Sequence, residues 1–131
     1  MRIFESNEWG KRINFVDENN VVLGYNMEQD CCEHAEYFIL EELPEGLTYY
    51  GCLNNIKQLD KEDISSYRFD TSFFLETHSD CGEYFAVFRI INIGGEMKEA
   101  FIVLMNCHNG YYGHGFQFGK EKFEIIREGS L

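Results

Sequence analysis

Tyr84-Phe-Ala-Val-Phe-Arg-Ile-Ile-Asn-Ile93 and Ala100-Phe-Ile-Val-Leu-Met105, with Gly94-Gly95 between them, decide how the rest of the chain is read. Both runs are rich in β-branched and aromatic residues, which suit a pleated, half-buried surface. The glycine pair accepts the positive φ angles of a tight turn, so the stretch predicts a hairpin. A two-residue turn sets Phe88 opposite Phe101, Val87 opposite Ile102 and Phe85 opposite Leu104. Both faces are then largely apolar, which predicts a central position with cover on each side. The hairpin runs on into Asn106-Cys-His-Asn-Gly-Tyr-Tyr-Gly-His-Gly-Phe116.

Working outward, Arg12–Val16 and Val21–Tyr25 read as two strands joined by Asp17–Asn20, where Asn tolerates the left-handed conformation of a turn. Asp30–Leu43 reads as an amphipathic helix. Asp30 suits its N-cap, and Glu33 completes a capping-box pair. At about 100° per residue, Cys31, Cys32, Ala35, Phe38, Ile39 and Leu43 share one arc, and His34, Tyr37 and Glu41 the opposite one. Pro44 cannot continue such a helix. Thr48–Tyr50 and Asn54–Ile56 read as short extended pieces and Asp60–Ile64 as a helical turn. Tyr67–Thr77 reads as one strand, Asp80–Gly82 as a turn, Phe116–Phe118 as a strand and Phe123–Ile126 as a last short strand or helix. Trp9 is expected at the edge of the core. The sum is a single α+β domain spanning 1–131: a mostly antiparallel sheet of five to seven strands with one main amphipathic helix, about residues 30–43, packed on it.

A chain of 131 residues with 44% hydrophobic side chains can fill one core without a disulfide or a metal. Met1–Trp9 has no apolar run suited to a signal peptide, and no stretch reaches the roughly 18 apolar residues of a membrane helix. Five cysteines, an odd number without an export signal, point to reduced thiols and a cytoplasmic protein. The net charge of −12 argues against direct contact with nucleic-acid phosphates. Between Ile13 and Ile56 there is no Lys or Arg, while Asp17, Glu18, Glu28, Asp30, Glu33, Glu36, Glu41, Glu42 and Glu45 all fall there. One part of the surface is therefore expected to be strongly negative. Such a face serves solubility, or docks a protein partner with a basic surface.

Three groups of residues could carry chemistry. Cys31 and Cys32 begin the expected helix, where free N–H groups favour a thiolate, but Glu28, Asp30 and Glu33 oppose it. Their Cα atoms, about 3.8 Å apart, sit too close for an ordinary disulfide. On the apolar arc they read as small residues that let helix and sheet approach. The wider set of Cys31, Cys32, His34, Cys107, His108 and His114 offers soft ligands, yet it lacks the Cys-x2-Cys pairs of a structural zinc site. No metal and no cofactor are predicted. In Asn109–Phe116 the glycines bend the backbone, and Tyr111 and Tyr112 supply amphipathic surface suited to recognition. His108 and His114 could exchange protons, with no nucleophile fixed beside them. The same stretch also reads, and more simply, as a glycine-bent strand end whose tyrosines cap the core. Phosphate loops, dinucleotide fingerprints and nucleophile elbows are missing from the sequence, so an enzyme has no positive sign.

Gly24-Tyr25, Asp30-Cys31-Cys32-Glu33 and Asn109-Gly-Tyr-Tyr112 together resemble an uncharacterised family of small bacterial and phage proteins, which pair a "CCE" helix start with an "NGYYS" strand end. Here Gly113 stands where that family has Ser. The resemblance implies a compact domain, often phage-linked, in which helix start and strand end meet. It carries no activity. The expectation is a small non-enzymatic binding or inhibitor module that acts through protein contacts, using the acidic 13–56 surface or the Tyr111-Tyr112 edge. The alternative is a ligand-binding or catalytic domain with its site between Cys31-Cys32 and the Asn109–His114 loop, formed by Cys31, Cys32, Asn109, Tyr111, Tyr112 and His114.

Overall fold

A computed structural model describes residues 1–7, 10–28, 34–79, 82–107, 114–120 and 124–131. Its centre is the expected hairpin: β7 (Glu83–Asn92) and β8 (Glu99–Cys107). The register differs by one residue from the tight-turn expectation. Phe88 pairs with Ile102, Val87 with Val103 and Phe85 with Met105. The turn is longer than two residues: Asn92 donates its N–H to the Lys98 carbonyl at 2.8 Å, and Gly95 adopts φ +137° within the loop. Because both faces of the hairpin are apolar, alternation fits either register equally well. The loop decides between them.

Ala86, Phe88, Ile90, Ala100, Ile102 and Leu104 point to one side, and Phe85, Val87, Phe101, Val103 and Met105 to the other. Each side has its own cover. β4 (His34–Leu40) flanks β8, while β5 (Tyr67–Phe69) and β6 (Leu75–His78) pair in succession with β7, completing one antiparallel sheet. Facing it is a second sheet of β1 (Arg2–Ser6), β2 (Arg12–Val16), β3 (Val21–Asn26), β9 (Gly115–Lys120) and β10 (Glu124–Ser130), in the order β1-β2-β3-β9-β10. Aromatic rings fill the space between the sheets. Phe118 lies 4.9 Å from Phe88 and 5.0 Å from Phe69 between centroids, and Phe15 meets Tyr37 edge-on at 5.4 Å. The molecule is a two-layer β-sandwich of ten strands among the described residues.

This overturns the α+β expectation of one sheet with a main helix over residues 30–43. Residues 34–40 form β4, paired with β8 from His34↔Cys107 to Leu40↔Phe101. Residues 41–48 are a connection, and 30–33 lie outside the described residues. In β4, Ala35 and Ile39 face the inter-sheet core, whereas Phe38 and Leu40 face outward into the second cluster. A short apolar run that is covered on both faces matches helical spacing as well as strand spacing. What decides is tertiary: β8 is apolar on both faces and needs a strand along its free edge.

Smaller differences follow the same local logic. Thr48–Tyr50 is not extended. Thr48 caps α1 (Tyr49–Leu53), its Oγ1 accepting the Gly51 N–H at 3.0 Å. Asn54–Ile56 is the exit turn of that helix. Asp60–Ile64 does form a helical turn, a 3-10 segment over Lys61–Ile64. The Tyr67–Thr77 strand is broken by a turn in which Asp70 Oδ1 accepts the Ser72 N–H at 3.0 Å and its hydroxyl at 2.5 Å. The expectations for Trp9 and for Asp80-Cys81 lie outside the described residues.

The first hairpin, β2–β3, stands as expected, with Asn20 at φ 59°. Its Asp17 is not a surface charge. It is 2% exposed, and its Oδ1 accepts N–H groups from Asn19 and Val21, each at 2.9 Å. Its Oδ2 accepts the Phe69 N–H at 2.9 Å, across to the other sheet. Asp17→Ala strands those buried donors, and the expected cost is about 3 kcal/mol, read as a fall in the urea midpoint. An unchanged midpoint would remove this link between the sheets from the account.

Candidate functional site

At one end of the sandwich, strand pairing assembles what the sequence keeps apart. Cys107 on β8 is the direct partner of His34 on β4 and of Glu83 on β7. Directly paired residues of an antiparallel sheet point to the same face. An imidazole, a thiol and a carboxylate therefore stand in a row on the outer face of the sheet. α1 borders this row. Glu83, 8% exposed, takes the first N–H of α1, that of Tyr49, on its Oε1 at 2.9 Å and its Oε2 at 3.2 Å. The connection between β4 and α1 is thereby pinned to β7. His34, Tyr49, Tyr50, Glu83 and Cys107 line an open depression of about 430 Å³.

The walls are ordered by ring packing. Tyr49 meets His34 edge-on at 5.3 Å, Tyr50 at 5.5 Å and Phe38 at 6.1 Å. His34 Nε2 lies 2.8 Å from Glu36 Oε2. Burial, then the charge and hydrogen bond of Glu36, raise the Tyr49 phenol above its usual pKa, so its hydroxyl stays protonated. On the inner side of α1, Cys52 is fully buried. Desolvation, then the Glu83 charge, push its thiol up to about 11.

His114 belongs to the framework. It is 3% exposed, its Nδ1 lies 2.7 Å from the Asn26 carbonyl, and its backbone exchanges two 2.8 Å hydrogen bonds with Leu131. A carbonyl partner requires the proton on Nδ1. Asn106 Nδ2 also donates to the Leu131 carbonyl, at 3.0 Å. The neighbouring Tyr25 is fully buried and donates its hydroxyl to the Met105 carbonyl at 2.9 Å, across the sandwich. A Cβ on Gly24 before it would meet Asn14 Oδ1 at 2.8 Å, so the Asn14 side chain would have to shift to admit one. Gly24-Tyr25, read as part of a motif, thus has a packing role.

Cys31, Cys32, Asn109, Tyr111 and Tyr112 lie outside the described residues, as does His108. Of the sequence-derived site only His114 is described, and it does not line the depression. The residues flanking those two segments do come together: His34 follows one, Cys107 precedes the other, and the two are paired. Among the described residues no three His, Cys, Asp or Glu side chains are arranged to hold a metal ion. The acidic stretch divides. Asp17 is structural and Glu42 pairs with Lys57 at 2.9 Å, while Glu41 and Glu45 are exposed along the connection into α1. Glu83, Tyr49 and Tyr50 had no distinguishing signal in sequence beyond the Thr48 cap and the paired tyrosines.

No family model, curated protein or solved structure matches this chain. Among the described residues no helix is long and apolar enough to cross a membrane.

Of the two described cysteines, Cys52 is buried and Cys107 half-buried. With its pKa near 11, Cys52 has on the order of one thiolate in a thousand molecules at pH 8. Iodoacetamide is expected to spare Cys52 in the native protein and to label it once denaturant is added. Peptide mass mapping reads the difference, and equal labelling of Cys52 in the two states would contradict its burial on the inner side of α1.

Proposed function

We propose that this protein is a non-enzymatic binding module that works through protein contacts, and that its contact face is the outer side of the β4–β8–β7 sheet around α1. The observation that carries this reading is the exposure of Tyr50 (72%), Leu53 (42%) and Ile56 (95%). A single exposed apolar residue is ordinary, but several within seven positions of one short helix and its exit turn are not. Tyr50 and Leu53 are three residues apart and share a side of α1. Glu41 and Glu45, on the segment leading into the helix, add carboxylates beside this apolar surface. A fitting partner is a protein with a basic surface and an apolar centre. The net charge of −12 would speed the encounter with it and disfavour nucleic acid. The buried free thiol of Cys52 supports a reducing, cytoplasmic setting. The "CCE" and "NGYY" resemblance supports a bacterial or phage origin.

Selection from a random peptide display library tests the reading. Enriched sequences are expected to combine Lys or Arg with large apolar residues. The triple variant Tyr50→Ser, Leu53→Ser, Ile56→Ser is expected to melt like the parent, because these side chains are exposed, and to lose the enrichment. Enrichment that survives in the triple variant, or no enrichment with the parent, would sink the proposal.

A further inference from the structure

We infer that the outer face of the β1-β2-β3-β9-β10 sheet, on the side of the sandwich away from α1, binds a neutral oligosaccharide. Strand pairing sets Asn14, Gly24, Gln117 and Glu128 side by side in one row across β2, β3, β9 and β10. Their neighbours along the strands, such as Phe15, Leu23 and Phe118, fill the core, so the row faces outward. On this face Arg12, Asn26, Gln117, Glu128 and Ser130 line a depression of about 510 Å³.

Several of these polar groups are held in place. Gly24 faces outward and is nevertheless buried, because its neighbours lie over it. The point that a Cβ would occupy there is 3.2 Å from Arg12 Nη2 and 2.8 Å from Asn14 Oδ1. Glycine inside a strand is costly and marks a close approach. Here it lets the Arg12 guanidinium rest against the sheet, so less freedom is lost when a ligand arrives. Asn26 Oδ1 accepts the Glu28 N–H at 2.9 Å, which commits that oxygen and leaves Nδ2 as a donor. Gly115, paired with Ser130, leaves bare backbone within the depression.

The chemistry of the lining selects the ligand. It holds one cation, Arg12, and one anion, Glu128, with β3 and β9 between their strands. An anionic ligand meets Glu128 and a cationic one meets Arg12, whereas a neutral polyol suits both. A hydroxyl donates and accepts at once. The guanidinium fork donates to two adjacent oxygens, and the carboxylate accepts from two adjacent hydroxyls. Vicinal hydroxyls on a sugar ring present that pattern. From Asn14 to Glu128 the row covers three strand spacings, about 14 Å, which is longer than a single sugar ring.

A glycan array probed with the full chain tests the inference. Neutral glycans are expected to retain the protein, sialylated or sulfated ones to retain it less, and periodate, which cleaves vicinal diols, to abolish retention. The double variant Gln117→Ala, Glu128→Ala is expected to melt like the parent, because both side chains are exposed, and to bind the best neutral glycan at least about tenfold more weakly. No retained glycan, retention confined to charged glycans, retention that survives periodate, or undiminished binding by the double variant overturns the inference. The site does not rest on the contact face around α1, and the two fail separately. The Tyr50→Ser, Leu53→Ser, Ile56→Ser variant is expected to bind glycans like the parent, and loss of glycan binding there would place the site on the other sheet.

Discussion

The structure depends on a hairpin whose two strands are apolar on both faces. β7 and β8 turn Phe88, Ile90, Ile102 and Leu104 one way and Phe85, Val87, Val103 and Met105 the other. Fully burying one such side chain gains about 1.5–3 kcal/mol, so neither face can be left to solvent. The second sheet covers one face. Among the described residues no sheet covers the other: Leu43, Leu47, Tyr49, Cys52 and Phe73, from α1 and two connections, close over it. A cover made of one helical turn has an outside as well as an inside. Cys52 goes in, while Tyr50 and Leu53 stay out. The exposed surface proposed as the contact face is thus a consequence of how the outer face of the hairpin is closed.

The same constraint explains what the sequence revealed. β2, β3, β7, β8 and β9 were legible because each has alternation or a run of β-branched and aromatic residues, bounded by turn residues. β4 was not. His34-Ala-Glu-Tyr-Phe-Ile-Leu40 alternates weakly, as Phe38, Ile39 and Leu40 are all buried on account of cover on both sides. Spacing alone then admits a helix, and Pro44 ends a strand connection as readily as a helix. The one-residue slip of the central register has a similar origin. Where both faces are apolar, alternation stops discriminating, and only the length of the 93–98 loop fixes which residues meet.

The site was less legible than the fold, because it is a product of pairing. His34, Glu83 and Cys107 are far apart in the chain and become neighbours only when β4 and β7 both join β8. His34 and Cys107 could be noticed as metal-binding residue types, but nothing marked Glu83 as buried or as the acceptor for α1. Asp17 shows the opposite error. Its charge counted toward an acidic surface, yet it is 2% exposed and holds a turn and the neighbouring sheet. Composition counts carboxylates without saying which are committed to backbone N–H groups, and here Asp17 and Glu83 both are.

That distinction bears on how a partner would be recognised. Exposed carboxylates such as Glu41 and Glu45 act through a field screened within about 8 Å at physiological salt, so they govern the rate of encounter more than its lifetime. Glu83 is different. It is 8% exposed and both of its oxygens share the Tyr49 N–H, so it holds the start of α1 against β7. The division follows from burial alone: the charges that can steer a partner are the ones water can reach, and the charge that α1 covers serves the fold.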